Sequence, residues 1–384
     1  MENLCLVNKK TVSANRELKQ AQKSAKRYYE EGYLARILAR LARKNHKLPR
    51  AKVRKFTKLE KVLFQEYKLS SRTVGIETTA FNREELIALC KKTELRGQSG
   101  NGFLTYKKLE RFTAKNGVLL INGVECDPGL VQDAWIYQNY LEQVEQGAKL
   151  VMHAMGITKA VLATKEPLQK KKSAALTQVK VIDRFPMGYE NALIKEVLAI
   201  DILEGKHPVD YGILVMNIQT VFAIGQIASD ETVAHERYIT VANISKAKTI
   251  VTKVALGDSI SDIAKFFFTE EEKKGKQIYV GSGAMNVHRA KKDEKVADET
   301  FYIAIGNAPD YENSSKCKGC GACSRNCPAG VNVHKLVKAA ENGSINTSVA
   351  KANCADLCIN CGACTYGCAA GKDVRKVVKC AQKI

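Results

Sequence analysis

The chain has 384 residues, of which 45% are hydrophobic and 26% charged. That is ordinary globular usage and enough length for two or three cores, which excludes a stapled mini-protein, a wholly disordered chain and a polytopic membrane protein. The formal charge is +21 and uneven: residues 1–68 hold 19 Lys/Arg against 6 Asp/Glu, a net of +13. Thirteen cysteines are present, eight of them in two compact arrays near the C-terminus.

No apolar run of signal-peptide length follows a basic start, so a cytoplasmic protein is expected, with thiols reduced and available to metal. Residues 13–44 show helical spacing of Leu34, Ile37, Leu38 and Leu41 among Arg36, Arg40, Arg43 and Lys44, a basic amphipathic helix. A second short helical stretch runs through Leu59, Val62 and Leu63. Asn82 is placed to cap a helix over 82–92, which opens into a glycine-bearing loop over 95–103.

Beyond it, strands expected at 117–122, 160–163, 179–182 and 212–216 alternate with helices at 130–155, 190–198 and 220–228. That alternation predicts an α/β layer with a largely parallel sheet. From 237 to 305 short strands at 238–241, 250–251, 278–280 and 301–305, with a helix near 260–267, predict a small α+β domain. After Asn307 the chain becomes helical and cysteine-rich.

There the arrays read Cys317-x2-Cys320-x2-Cys323-x3-Cys327-Pro328 and Cys358-x2-Cys361-x2-Cys364-x3-Cys368, 41 residues apart. This is the spacing of bacterial ferredoxins with two [4Fe-4S] clusters. Three thiolates at three-residue intervals let a tight loop wrap one face of a cubane, and the fourth begins a helix that carries it to the other cluster. On that logic Cys317, Cys320, Cys323 and Cys368 hold one cluster, and Cys327, Cys358, Cys361 and Cys364 the other. Structural zinc also uses Cys-x2-Cys pairs, but four such closely spaced cysteines, twice over, suit it badly. Ala369 stands where the first array has Pro328, and Cys354 is an alternative ligand for the second site. Cys5, Cys90, Cys126 and Cys380 read as spare or buried thiols. Two clusters imply one-electron transfer, and a flavin is the usual converter to two-electron chemistry.

Gly97-x2-Gly100-x-Gly102 does not match the dinucleotide fingerprint and by itself reads as a tight loop. Together with Lys108 and the stretch from Asn122 through Glu125 to Asp127-Pro128, it resembles the flavin-binding segments of two related proteins. These are the C subunit of Rnf-type electron-transport complexes and the NADH-oxidising flavoprotein subunit of respiratory complex I. Later stretches agree in order: Phe185-Pro186-Met-Gly188-Tyr-Glu190, Gly205-Lys-His-Pro208-Val-Asp210-Tyr-Gly212, Asn217-Ile-Gln219-Thr220, and Gly281-Ser-Gly283-Ala-Met285.

The resemblance covers roughly residues 82–368. Beside the basic helical extension (1–70) read from charge and spacing and the C-terminal helical two-[4Fe-4S] ferredoxin-like domain (307–384) read from the cysteine arrays, it implies a Rossmann-like flavin-binding α/β domain (71–235) and a β-grasp domain (236–306). It further implies FMN held by the backbone of the loop with Gly97, Gly100 and Gly102, with Lys108 on the phosphate. Asn122 and Glu125 would bond the ribityl chain or ring, Asn217 and Thr220 would close the site, and Glu190 would stand near the nicotinamide of NADH as the catalytic carboxylate.

Where the family has small residues and a proline in its loop, this chain has Ser99, Asn101 and Leu104, and it has Asp127 in place of Glu. The expectation is an iron-sulfur flavoprotein passing electrons between NADH and a one-electron partner. The alternative is a non-catalytic adaptor that has lost the flavin and feeds a partner reductase. The basic extension suits an acidic carrier such as ferredoxin or flavodoxin, whose encounter it would steer. It also suits the inner face of a membrane in a larger complex. Nucleic acid is a distant third, the aromatics there being few (Tyr28, Tyr29, Tyr33 and Phe56).

Overall fold

The computed structural model describes residues 62–65, 67, 81–100, 102–125, 127, 129–169, 176–183, 185–203, 206–246, 248–307 and 316–384. The basic extension up to residue 61, most of 66–80, Asn101, Cys126 and Gly205 lie outside them. The described residues divide into two compact units, one ending at Gly306 and one beginning at Asn307.

In the first unit, β1 (Val62–Phe64) takes the place of the helical turn expected there. It pairs in parallel with a later strand, and Phe64 stacks on Trp135 with ring centroids 5.5 Å apart. Three β-capable apolar residues gain more from that docking than from a helix too short to nucleate.

Helix α1 (Arg83–Lys92) starts where Asn82 predicts. Asn82 Oδ1 accepts from Glu85 N–H at 2.9 Å and Glu85 Oε2 accepts from Asn82 N–H at 2.7 Å. Such a cap contributes about 1 kcal/mol. Helix α2 (Thr105–Arg111) follows the glycine loop, and β2 (Val118–Gly123) comes next.

The long helix expected over 130–155 is broken into α3 (Gln132–Asn139) and α4 (Leu141–Met155). Tyr140 leaves helical geometry at φ −130° and places its ring against Phe222 and Tyr238, at 5.5 and 5.7 Å. Then come β3 (Lys159–Thr164), β4 (Leu176–Lys180), α5 (Glu190–Leu198), β5 (Ile213–Asn217) and α6 (Ile218–Ile227). Strand β4 begins three residues before its expected start, and Ile182, expected at its end, is exposed.

Strands β2 to β5 form one wholly parallel sheet in the order β4-β3-β2-β5. Its two inner strands, β2 and β3, are mostly apolar because both faces are covered. Leu119 and Ile121 face a core shared with α1, α3, α4 and α6, and Leu120 faces one built with Leu193 and Ile194 of α5. Helices α4 and α6 approach so closely at Gly147 that a Cβ there would overlap the Val221 carbonyl. The chain winds from β2 outward to β4, then returns to lay β5 on the other side of β2. A crevice therefore opens at the carboxyl ends of β2 and β5, the place where doubly wound sheets bind ligands.

The second sheet adds β6 (Glu236–Asn243) and β7 (Lys248–Ala255) as an antiparallel hairpin. Helix α7 (Ile260–Phe267) and the short α8 (Glu270–Lys273) follow, then β8 (Gln277–Gly281), β9 (Val287–Arg289) and β10 (Tyr302–Gly306). Strand order is β1-β7-β6-β10-β8-β9, with β10 parallel to β6 and antiparallel to β8. Ile260, Ile263 and Phe267 of α7 pack against this sheet. Tyr238 of β6 and Val251 of β7 join the core of the parallel sheet, so both sheets fall in one compact unit.

The second unit contains α9 (Ala322–Arg325), α10 (Val333–Glu341), α11 (Thr347–Ala352), α12 (Ala363–Tyr366) and α13 (Val374–Gln382). It is an internal repeat. Ser324 Oγ accepts from His334 N–H at 2.8 Å, and 41 residues on Thr365 Oγ1 accepts from Arg375 N–H at 2.9 Å. Its apolar core is small, built on Ala329, Val331, Leu336, Leu357 and Val378. A unit of this size ordinarily needs a cross-link or metal to be stable by itself.

Candidate functional site

At the crevice, Asn217 ends β5 and caps α6, its Oδ1 accepting from Gln219 N–H at 2.8 Å and from Thr220 N–H at 3.4 Å. Thr220 Oγ1 in turn accepts from Gln98 N–H at 2.9 Å, which fastens the glycine loop to the helix. The loop closes on itself through Gly97 N–H to Phe103 O at 2.7 Å and Thr105 N–H to Leu95 O at 2.9 Å. Lys108, on α2, reaches the open edge of β5 and donates to Val215 O at 2.9 Å; it also pairs with Glu190 Oε1 at 2.9 Å.

Together these elements enclose a cleft of about 290 Å³. Five residues singled out in the sequence line it: Gly97, Lys108, Glu190, Asn217 and Thr220. Lys107 and Arg111, which sequence reasoning missed, add positive charge to its wall, and His207 lines it as well. The i, i+4 spacing of Lys107 and Arg111 on α2 was the one available signal for them. Thr105 also lines the cleft, and its hydroxyl is buried without a protein partner. Phe103 and Ser99 complete the rim on the loop side.

The other four candidates lie elsewhere. Gly100 and Gly102 take left-handed backbone, φ +94° and +60°, and turn toward Ser282 and Asp298, where a Cβ would come within 3.1 and 3.2 Å of theirs. They shape the loop rather than face the cleft. Asn122 donates to Gly188 O at 2.9 Å and accepts from Val124 N–H at 3.0 Å, pinning the turn that leads into Glu190.

Glu125 sits behind the crevice, 6% exposed, accepting from Asp133 N–H at 2.8 Å while its other oxygen has no partner. Asp133 accepts from Asn217 Nδ2 at 2.6 Å. Burial pushes Glu125 up from 4.5 to about 7, and burial together with the neighbouring Glu125 pushes Asp133 up as well. Between 4.5 and about 7 the folded chain therefore holds a proton that the unfolded chain releases. Stability is greatest at the acid end of that window and declines as pH rises through it. Glu125→Gln, which fixes the protonated shape, should abolish most of the decline and stabilise the protein at pH 8 by about 2–3 kcal/mol. Denaturation midpoints of both proteins from pH 5 to pH 8 check this, and parallel curves would refute it.

In the second unit the eight array cysteines assemble into two rosettes. Cys317, Cys320, Cys323 and Cys368 surround one space; Cys327, Cys358, Cys361 and Cys364 surround the other. Each draws three residues from one array and the fourth from its twin. All eight are free thiols. Burial pushes Cys323 up to about 11 and Cys364 up to about 12, so a bound metal must displace protons that these thiols otherwise keep.

Backbone N–H groups already point at sulfur at matching positions: Gly319 to Cys317 Sγ and Asn360 to Cys358 Sγ, each at 3.4 Å. Among the described residues no three Cys, His, Asp or Glu side chains converge as a single metal ion requires. Cys354 lines neither space, Cys380 is exposed, and Cys90 is buried with its thiol pushed up to about 12, an inert core residue. No helix among the described residues is long and apolar enough to cross a membrane.

Residues 90–226, which build the crevice, match the Nuo51 FMN-binding domain family. The C subunit of the ion-translocating oxidoreductase complex of Buchnera aphidicola subsp. Baizongia pistaciae is 29% identical over 272 residues, 67% of this chain and 53% of that protein. Its counterpart from Vibrio cholerae serotype O1 is 26% identical over 257 residues, 64% of this chain and 33% of that one. The chain thus spans between a third and about half of the length of these relatives. Among solved structures, an NAD+-reducing [NiFe]-hydrogenase shares the fold. Its air-oxidized state gives a TM-score of 0.55 at 17% identity, covering 79% of this chain and 64% of that one. The H2-reduced state gives 0.56 at 18%, covering 83% and 66%. Residues 90–226 thus match the Nuo51 FMN-binding domain family, and about two thirds of the chain is similar to the C subunit of ion-translocating oxidoreductase complexes.

Proposed function

We propose that this chain is an iron-sulfur flavoprotein that moves electrons between NADH and a one-electron partner, using FMN and two [4Fe-4S] clusters. The observation that carries the reading is the pair of four-cysteine rosettes on a chain that also holds a cationic cleft at the switch point of a parallel sheet. On this reading the second unit is the ferredoxin-like domain, and the sheet with β10 inserted beside β6 is the β-grasp.

The cleft fits FMN on three counts. Its volume suits a ligand of that class, its wall is positive where a phosphate needs charge, and the buried Thr105 hydroxyl lacks a partner that a bound polar ligand would supply. Lys108 with Lys107 and Arg111 would take the phosphate. The backbone from Gly97 to Ser99, held by Thr220, would border the ring. Glu190, held by Lys108, would orient the nicotinamide. Bound FMN supplies the exchange between hydride transfer and single-electron transfer. The protein's own part is to fix position, exclude water and balance charge.

The partner is an acidic carrier or a reductase subunit of a larger assembly. Residues 316–384 carry 11 Lys/Arg against 3 Asp/Glu, which suits steering of such a partner.

The adaptor reading has one observation in its favour: Ser99, a larger residue than the family's, lies on the cleft rim. The full chain, purified anaerobically, separates the two. Heat-released FMN near one per chain, with NADH bleaching the cluster absorbance, is the expected result. Clusters without flavin and without bleaching would sink the enzyme reading and leave the adaptor.

A further inference from the structure

The two rosettes are related by the internal repeat, yet the residue at one matched position differs in kind. His334 lines the space ringed by Cys317, Cys320, Cys323 and Cys368, and Arg375, 41 residues on, lines the other. Both are placed the same way, by backbone N–H bonds to Ser324 and Thr365 at the starts of α10 and α13. The Nε2 of His334 is buried and has no hydrogen-bond partner in the protein.

A buried polar group left unpaired costs about 1–3 kcal/mol, so its partner is to be sought in what fills the adjoining space. Lys318 and Lys372, which also line it, have their ammonium groups engaged by Ala369 O and Glu341 Oε1. The side chains that ring the space are those of cysteine, whose sulfurs accept.

We propose that His334 donates an Nε2–H hydrogen bond to a sulfur of the cluster held by Cys317, Cys320, Cys323 and Cys368, and that this bond sets that cluster's potential apart from its twin's. The inference rests on reading the rosettes as cluster sites. A neutral imidazole carries a proton on one nitrogen, and placing it on Nε2 satisfies the buried atom. A donor to sulfur stabilises the reduced, more negative cluster and raises its potential. The twin has instead the permanent cation of Arg375, which acts on Cys358. The role is one of tuning, since His334 completes no rosette.

The test uses the full chain, reconstituted anaerobically, in a potentiometric titration followed by electron paramagnetic resonance. His334→Phe, which keeps a ring and removes the donor, should move one of the two midpoints to lower potential and leave the other in place. His334→Gln, whose amide N–H reaches a similar position, should restore the wild-type value. Pulsed resonance on wild-type protein labelled with 15N-histidine should detect a coupled nitrogen at one cluster, which settles the matter even if the Phe variant fails to assemble. Normal iron content with unmoved midpoints, or no coupled histidine nitrogen in the wild type, overturns the inference alone. Wild-type protein with too little iron for any cluster overturns the rosette reading and this inference together.

Discussion

Cys327→Ser is expected to abolish the cluster bound by Cys358, Cys361 and Cys364 while sparing the one whose other cysteines stand beside it in sequence. Iron should fall from about eight per chain to about four. The reason is the exchange of fourth ligands between the arrays: Cys327 faces the space of the second array, and Cys368 that of the first.

Pairing variants makes the test sharp. Cys327→Ser with Cys361→Ser removes two ligands of one rosette, so it should lose little more iron than either change alone. Cys327→Ser with Cys320→Ser strikes both rosettes and should leave almost none. If ligation ran within each array instead, these two outcomes would be reversed. Loss of a cluster should also loosen the second unit, because its small apolar core gives it little else to stand on. Iron and sulfide assays with cluster absorbance on anaerobic samples measure the outcome.

The second large effect is expected at Lys108. Its ammonium is fixed at 2.9 Å from both Glu190 Oε1 and Val215 O, so it needs no reorganisation to meet an anion entering the cleft. Lys108→Ala removes that charge, frees the β5 edge and leaves Glu190 without its partner, so that only Lys107 and Arg111 remain on the wall to attract a phosphate. FMN affinity should fall at least tenfold, which corresponds to about 1.4 kcal/mol, a modest figure for a lost charge-assisted bond. Lys108→Arg should retain much of the binding. The iron content of both variants should stay at the wild-type level, because the rosettes fold in the other unit. Flavin titration by fluorescence quenching gives the answer, and unchanged affinity in Lys108→Ala would remove Lys108 from the site.

These expectations draw unequally on sequence and structure. Asn82 announced its helix because an N-cap is a local signal, and residues 190–198 and 260–267 formed helices over those same bounds. Tyr140 gave no such warning. The break there depends on aromatic partners, Phe222 and Tyr238, far along the chain. Likewise Val62–Phe64 has no local reason to be a strand; its partner strand begins at Lys248.

The cleft shows the same division. Lys108, Glu190, Asn217 and Thr220 were reachable through motifs, but nothing marks Thr105, and the motif that contains His207 does not single it out, since what matters is that segments a hundred residues apart meet at one sheet edge. Gly100, Gly102, Asn122 and Glu125 belong to the same motifs and yet face away from the cleft, because spacing fixes neighbourhood along the chain and not direction.

By itself, then, the amino-acid order determined the parallel α/β layer, the starts of the helices at Arg83, Glu190 and Ile260, and the two cysteine arrays, all governed by periodicity, caps and spacings a few residues long. Only the tertiary structure decided which face of each motif meets the cleft, that the two sheets share a core through Tyr238 and Val251, and that His334 points an unpaired nitrogen into a buried site. Those outcomes come from burial and close packing between distant segments, for which no local pattern is a proxy.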